Sequence, residues 1–486
     1  MIDRLGKVLG LLLLGLILVV LGFVMDKINL RTFSFLIFFG TGSFLFFAPL
    51  SWAIHLLVLY VGIEGFAKLM TNYNPIIHVG ADILIVCLWA RVIFTHLLYR
   101  KPLPTNYPPL TGLFLLHVIW FVITIANPHA LSVVASLAGA KLYITIVSLY
   151  FFGFYLTRDA KSVRAFMIPW VLILGIQVVT SMYQASIGPS SVTSLSPAYS
   201  IALQKYGVFA FRPFGLTSQP GMPCVFIYIT IPFVLYFLVY SRSILISLIL
   251  LPALPGSFVT LLVCQVRSAL LKGLLESFIF TAFTFKELSS VSRRLRIYII
   301  PIIIFTTLSI TFIMPIFLSR ILTGNKDNQR AIERSLTLFD YARVSTARHG
   351  ALDRFMEYAQ SFPLGAGLSR IGAAAGHFQY LIEAENLGRG FFSDNLWVEM
   401  VVDLGLPGVL IISSILFLTL GRGLFSLLRI RDPELRILQW TILSSLSAIL
   451  LGAYGAEPIL YNPEGPFFWF FAGVITRIPQ LDRENA

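Results

Sequence analysis

Residues 222–263 read MPCVFIYITIPFVLYFLVYSRSILISLILLPALPGSFVTLLV, two apolar runs separated by the single cation Arg242. A helix needs about 20 apolar residues to cross a hydrocarbon core about 30 Å thick, so each run is long enough for one crossing and the arginine marks a turn at the water. Only helices suit that setting, because an open sheet leaves backbone N–H and C=O groups unpaired in lipid.

Moved outward along the 486 residues, the same ruler finds roughly fourteen such runs. They lie near 8–25, 32–49, 52–70, 79–99, 110–126, 141–157, 165–185, 222–240, 243–263, 268–285, 297–316, 397–420, 437–453 and 465–480. Composition agrees. A mean hydropathy of +0.84, 57% hydrophobic residues and 12% charge exclude a water-soluble fold, whose surface needs far more charge. The net charge of +13 would suit nucleic acid, but the Lys and Arg are scattered in short clusters between apolar runs and form no basic face. Cys87, Cys224 and Cys264 have no metal-type spacing, so neither a zinc site nor a disulfide framework is expected. The run Val8–Met25 is too long for a secretory h-region and has no small-residue cleavage site before Asp26, so it reads as a retained span.

Cytoplasmic connections carry the excess of Lys and Arg. With the N-terminus inside, the inside connections hold Arg100 and Lys101, then Arg158, Lys161 and Arg164, then Arg242, then Lys286, Arg293, Arg294 and Arg296, then Arg422, Arg429, Arg431 and Arg436. Both termini are then cytoplasmic, and 186–221, 264–267, 317–396 and 454–464 face outward. The expected fold is an all-α, polytopic integral membrane protein of about 12–14 transmembrane helices with one large extracytoplasmic loop. Residues 1–316 hold helices 1–11, 317–396 the loop, and 397–486 helices 12–14.

The loop is folded rather than a basic tail, since its 9 Lys plus Arg balance 8 Asp plus Glu. Helical periodicity runs from Asn328 to Arg343 and from Arg348 to Phe362, with Leu352, Phe355, Met356 and Ala359 on one face and Arg354 and Glu357 on another. Pro363, Gly365 and Gly367 end the second helix. Both helices are expected to lie along the membrane surface. A long water-facing segment set against arginines at one membrane surface points to an enzyme acting on a lipid-linked anion.

Four stretches carry candidate chemistry. In FRPFGLTSQP (211–220) Arg212 precedes a helix start, where a guanidinium fork suits phosphate oxygens or snorkels to lipid headgroups. In CQVRSALLKG (264–273) Arg267 occupies a tight outer turn, and Lys272 with Glu276 has the i, i+4 spacing of a helical ion pair. In 348–370, Arg348 and His349 at the helix start suit phosphate binding or proton transfer, against a merely solvated histidine. In FFSDNLWVEMVVDLGLPG (391–408), Asp394 and Asn395 sit where loop becomes helix, so one is an N-cap, while a carboxylate there can also act as a general base. Tyr380, Phe391, Phe392 and Trp397 can stack on sugar rings, although Trp397 also suits an interfacial anchor. Glu64, Lys68, Asp82 and Arg91 lie inside apolar runs and are expected to pair within the bundle.

The order of these motifs resembles the O-antigen ligase and polymerase superfamily of bacterial envelope glycosyltransferases. R-P-x-G starts at Arg212, Thr260 stands seven residues ahead of Arg267, and the long loop contains R…P-L-G-x-G. That loop ends in Asp394 and Asn395, and G-L-x-G follows at Gly405 to Gly408. The similarity covers roughly residues 200–420. The resemblance implies an undecaprenyl-diphosphate-linked glycan as donor, no cofactor or metal, an inverting transfer and a bacterial inner (plasma) membrane. It implies that Arg212 and Arg267 hold the lipid diphosphate with Arg348 nearby. The ligase branch, which joins glycan to lipid A core, usually has histidine immediately before the asparagine; Asp394 stands there and favours a polymerase. Asp394 or His349 would then take the acceptor's proton, with Lys272 and Asn395 in support. The partners expected are the lipid-linked glycan and membrane lipids, with no nucleic acid, and a polysaccharide chain-length regulator is left open. A flippase or other transporter would normally show paired halves and short loops, unlike this chain. A non-enzymatic assembly subunit would leave the outward arginines free to vary.

Overall fold

The structure, a computed structural model, describes residues 49–99, 107–205, 211–240, 244–287, 341–375, 395–453 and 459–485. The described residues are helical and contain no strand. In chain order the helices are α1 (Leu50–Met70), α2 (Pro75–His78), α3 (Gly80–Tyr99), α4 (Thr111–Ile125), α5 (Val133–Ala140) and, after a π-turn at Lys141–Thr145, α6 (Leu149–Leu156). Then come α7 (Ala160–Thr193), α8 (Pro197–Lys205), α9 (Pro223–Tyr240), α10 (Ile244–Val263), α11 (Arg267–Glu287) and α12 (Tyr341–Ser361). The last are α13 (Gly372–Ala375), α14 (Leu396–Leu427), α15 (Pro433–Gly452) and α16 (Glu464–Asn485). Among the described residues, seven stretches are long and apolar enough to cross a membrane: α1, most of α3, α5 through α6, α7, α9, α14 and α15. The chain is an all-α, multi-pass membrane protein.

The helices start and stop where local chemistry directs. Asp159 caps α7 by accepting from Ser162 N at 2.7 Å, and Asp432 caps α15 by accepting from Glu434 N at 2.8 Å with Pro433 in the first turn. α9 lies at the centre, nearly all of it buried. α6 and α16 approach almost backbone to backbone: a Cβ on Gly473 would lie 2.7 Å from Phe154 N, and one on Gly153 would lie 2.9 Å from Phe470 C. Small residues permit that approach in a bundle with no hydrophobic force between helices in lipid. One end of the bundle is basic, carrying Arg158, Lys161 and Arg164 with Arg429, Arg431 and Arg436. It is tied by Arg164 Nη1 to Glu434 Oε1 at 2.5 Å and by the Asp482 carboxylate, which accepts from Arg431 N and Asp432 N at 3.0 and 2.9 Å.

α14 is not one rod. Gly405 has φ 68° and ψ −178°, and the Trp397 and Phe417 rings lie 6.4 Å apart. Twenty residues of straight helix span about 30 Å, so residues 396–404 double back against 406–427. The stretch 363–372 fills the bend. Ala366 N donates to Val402 O at 2.6 Å, Leu406 N to Pro363 O at 2.9 Å, and Trp120 Nε1 to Leu404 O at 2.9 Å. From Gly365 to Ile371 this irregular backbone is buried in protein, the setting in which a membrane bundle tolerates it.

Three sequence expectations change. The expected span 141–157 begins earlier, at Val133, because the π-turn lets two short helices act as one. The loop helix is already formed at Tyr341, ahead of Arg348, and it packs Phe355, Tyr358 and Ala359, with Phe362 just beyond its end, on the bundle. Leu352 and Met356, which periodicity puts on the same face as Phe355 and Ala359, are 59% and 50% exposed, because the stripe by which α12 meets α14 is rotated toward Phe355, Tyr358 and Ala359. Third, α14 carries the fold-back that its continuous apolar pattern hid. The spans near 8–25 and 297–316, all but the last residue of the span near 32–49 and most of the helix at 328–343 lie outside the described residues.

Candidate functional site

The end of the bundle opposite the basic one gathers pieces from distant parts of the sequence. Gln177 and Gln184, seven residues apart on one face of α7, hold the first. Phe214 N and Gly215 N donate to Gln184 Oε1 at 2.7 and 2.8 Å, Leu216 N donates to Gln177 Oε1 at 2.9 Å, and Gln184 Nε2 donates to Gly215 O at 3.0 Å. Two side chains thus take up the amides of Phe214, Gly215 and Leu216 in this tight turn, and Arg212 is fixed just ahead of it.

Arg267 opens α11 after a turn of three residues. Within that turn Gln265 adopts a left-handed φ of 57°, and its Nε2 donates to Phe211 O at 3.1 Å. Gly221, with φ 83°, passes through the contact; a Cβ there would stand 2.9 Å from Cys264 O and 3.2 Å from Arg212 Cδ. The turns bearing Arg212 and Arg267 are therefore latched together, at one end of the bundle. Burial pushes the Cys264 thiol in this turn up to about 12, against the pull of the Cys224 amide and Arg212.

Lys272 lies a little over one helical turn beyond Arg267, and its pairing corrects the i, i+4 expectation. Its Nζ donates to Tyr228 Oη at 2.9 Å and meets Glu464 Oε1 at 3.4 Å, with the Tyr228 ring centroid 4.4 Å away. Glu276 is fully buried, and neither carboxylate oxygen has a hydrogen-bond partner among the described residues. Packing of α16 against α9 and α15 brings Glu464 to Lys272, while a helix-internal pair would turn the ammonium away from both. Gly452 makes room, since a Cβ there would collide with the Lys272 ammonium.

The segment Tyr461–Asn462–Pro463–Glu464 is a polar hub. Tyr461 Oη donates to Glu399 Oε1 at 2.6 Å, Asn462 Nδ2 donates to Glu64 Oε2 at 2.6 Å, and Glu464 faces Lys272. Glu64 also pairs with Lys68 at 2.6 Å, and Asp82 with Lys141 at 3.5 Å, so these intramembrane charges are matched inside the bundle. One turn from Glu399 on the doubled-back segment, Asp403 Oδ2 accepts from Tyr143 Oη at 3.0 Å. Arg370, 7% exposed, donates from its guanidinium to His129 O and anchors 363–372.

Of the residues proposed from sequence, the structure brings Arg212, Arg267 and Lys272 to one end. Asn395 is the α14 N-cap, accepting from Trp397 N at 3.0 Å and Val398 N at 3.2 Å. Trp397 stacks on Phe417 within its own helix. Asp394 lies outside the described residues, as do Tyr380, Phe391, Phe392 and the side chains of Arg348 and His349 within α12. Sequence reasoning missed Glu399, Asp403, Tyr461, Glu464, Gln177 and Gln184. The signal for Glu399 and Asp403 was two acids four residues apart in an otherwise apolar run, where a charge is costly without a partner. Among the described residues no group of three His, Cys, Asp or Glu is placed to hold a metal ion.

Fold and site together define a multi-pass helical membrane protein with a buried network of acids, tyrosines and cations beside two latched arginine turns. Compared with known proteins, the sequence matches no family model and no curated protein.

Proposed function

We propose that this protein is a polysaccharide polymerase-type glycosyltransferase. It transfers a glycan from an undecaprenyl-diphosphate-linked donor to a hydroxyl of an acceptor repeat unit, at the outer face of a bacterial inner membrane. The observation that carries the reading is the latch between the turns of Arg212 and Arg267, residues 55 apart in sequence that share one locality. By the positive-inside rule the basic end is cytoplasmic, which puts both termini inside and the arginines outside, where a lipid diphosphate would present its sugar. The full chain then has 12–14 spans, with 317–396 as the outer segment.

The chemistry suits the residues. The bond to be broken joins an anomeric carbon to a diphosphate, already a good leaving group. The protein must stabilise departing negative charge, which guanidinium groups do well, and take a proton from the acceptor hydroxyl. Asp394 and His349 are the bases that sequence offers.

Incubating purified protein with a lipid-linked repeat unit tests this. A product ladder is expected, and Arg212→Ala and Arg267→Ala are expected to abolish it while membrane insertion stays normal. A ladder of ordinary length from both variants refutes the enzyme reading, and a single transfer to lipid A core makes it a ligase. A second reading, a lipid-linked oligosaccharide transporter, is favoured by one feature: a broken helix carrying buried acids is how many transporters build a midplane site. Movement of unchanged donor across a vesicle membrane would establish it.

A further inference from the structure

The buried pair Lys272–Glu464 is unusual for what it forgoes. Lys272 has an acid one turn along its own helix, Glu276, yet its ammonium meets Glu464, 192 residues away in sequence. Both partners of the pair are more than nine-tenths buried, at 8% and 7% exposure. Removing two charges from water costs several kcal/mol per ion, and replacing such a pair by apolar residues is often neutral or stabilising, so stability alone is a weak reason to keep it. Its location supplies a better one. Lys272 follows Arg267 by five residues on α11, and the Arg212 loop is latched to the turn that opens that helix, which sets the acid near the site's cations.

Of the other acids nearby, Glu276 has no hydrogen-bond partner among the described residues but is wholly shut away at 0% exposure, whereas two others are tightly engaged. Glu64 is held by Lys68 and Asn462, each at 2.6 Å, and Glu399 by Tyr461 at 2.6 Å. Glu464 is held by Lys272 at the looser 3.4 Å, while the ammonium makes its closer bond to the neutral Tyr228 hydroxyl at 2.9 Å. An acid beside a cation that has a second support can change its charge without stranding that cation.

We propose that Glu464, rather than Asp394 or His349, is the catalytic base of the glycosyl transfer, and that Lys272 moves its charge from Glu464 to the leaving diphosphate. This rests on the glycosyltransferase reading above. In the step, the acceptor O–H gives its proton to a Glu464 carboxylate oxygen. The acceptor oxygen bonds to the anomeric carbon from the face opposite the diphosphate. The bond from that carbon to the diphosphate oxygen breaks, and its electron pair stays on the diphosphate. One negative charge has passed from Glu464 to the leaving group. Lys272 then faces a neutral acid and a newly charged diphosphate, and Tyr228 keeps it in place between the two.

The test uses full-length protein in nanodiscs, a lipid-linked repeat unit as substrate, and undecaprenyl diphosphate as an unreactive binding probe. General-base catalysis contributes about 10²–10⁴-fold, so Glu464→Gln is expected to cut turnover by that factor. Probe affinity should stay within threefold, and the acid limb of the kcat pH profile should vanish. Asp394→Asn should keep that limb. Lys272→Met should lose both turnover and probe affinity, and Lys272→Arg should recover most of each. Turnover of Glu464→Gln within threefold of wild type, with its acid limb intact, overturns the assignment. A parallel loss of turnover and probe binding overturns it too, since a merely structural pair behaves that way. Should Glu464→Gln fail to give a monodisperse protein, Glu464→Asp replaces it: a displaced acid must slow turnover yet keep the acid limb, and unchanged turnover refutes the base. A wild-type protein that binds the probe but makes no product sinks the glycosyltransferase reading itself, and this inference with it, an outcome distinct from a silent Glu464 in an active enzyme.

Discussion

Gly405→Ala is the sharpest test of the fold-back in α14. At φ 68° and ψ −178° the residue occupies a region that is essentially glycine-only, and forcing alanine into it costs about 1–3 kcal/mol. The added methyl also has nowhere to go. It would sit 2.6 Å from Pro363 O and closer still to the backbone of Leu364 and Gly365, none of which is the yielding end of a side chain. Overpacking of that kind costs a further ~1–3 kcal/mol, for a total of about 2–6 kcal/mol. Relief would come by pulling 363–365 away, which breaks the bonds of Leu406 N to Pro363 O and Ala366 N to Val402 O. Reversible unfolding of purified protein in mixed micelles reads the difference, with Gly175→Ala as control. Gly175 lies in α7 with nothing within 4 Å of the new Cβ, so that change should be neutral or stabilising by about 0.5–1 kcal/mol. Equal stability of Gly405→Ala and wild type, or an equal loss in the control, would refute the doubled-back geometry.

Trp120→Phe removes the donor to Leu404 O at 2.9 Å beside the bend, costing about 0.5–1.5 kcal/mol in the same assay. Gln184→Leu strands the Phe214 and Gly215 amides, at roughly 1–3 kcal/mol for each, and frees the turn that fixes Arg212. It should weaken undecaprenyl diphosphate binding as Arg212→Ala does, and normal binding would detach Gln184 from the site. Tyr461→Phe takes the hydroxyl from Glu399 and should lower the unfolding midpoint by the equivalent of about 1–3 kcal/mol, which no change in midpoint would contradict. Cys264, buried and with its thiol up near 12, should resist a water-soluble maleimide at pH 8. Rapid labelling there would mean that the turn carrying Arg267 opens.

Hydrophobic run length carries most of the fold. The runs at 52–70, 222–240 and 243–263 became Leu50–Met70, Pro223–Tyr240 and Ile244–Val263, because a membrane helix satisfies its own backbone and its ends fall where the apolar run stops. Charge distribution went further, grouping 186–221, 264–267, 317–396 and 454–464 on one side. The structure gathers the Arg212 loop, the Arg267 turn, 363–372 and 461–464 at one end. What stayed hidden depends on non-local geometry. A Gly followed two residues later by a Pro inside an apolar run reads equally as a kink or as a reversal, and only the ring contact between Trp397 and Phe417 decides it. Lys272 with Glu276 was a sound local pairing, and it lost to a partner from the last helix because local spacing says nothing about which helix packs beside α11.

That outcome is one case of a general dependence on residues 461–464. Glu64, Glu399 and Lys272 belong to three different helices, and each receives a contact from the same four residues. A buried charge that loses its partner is far more costly than a surface one, so these contacts are worth most when all are made together. The segment is held from behind by Trp469 Nε1, which donates to Ile459 O at 3.1 Å, and by the close seam of α16 against α6. A change that tilts α16 therefore disturbs α1, α11 and α14 at once, although none of their own residues has been touched. Substituting Gly473, where the backbones of α6 and α16 nearly meet, should for that reason damage the distant charge cluster more than its own apolar surroundings predict.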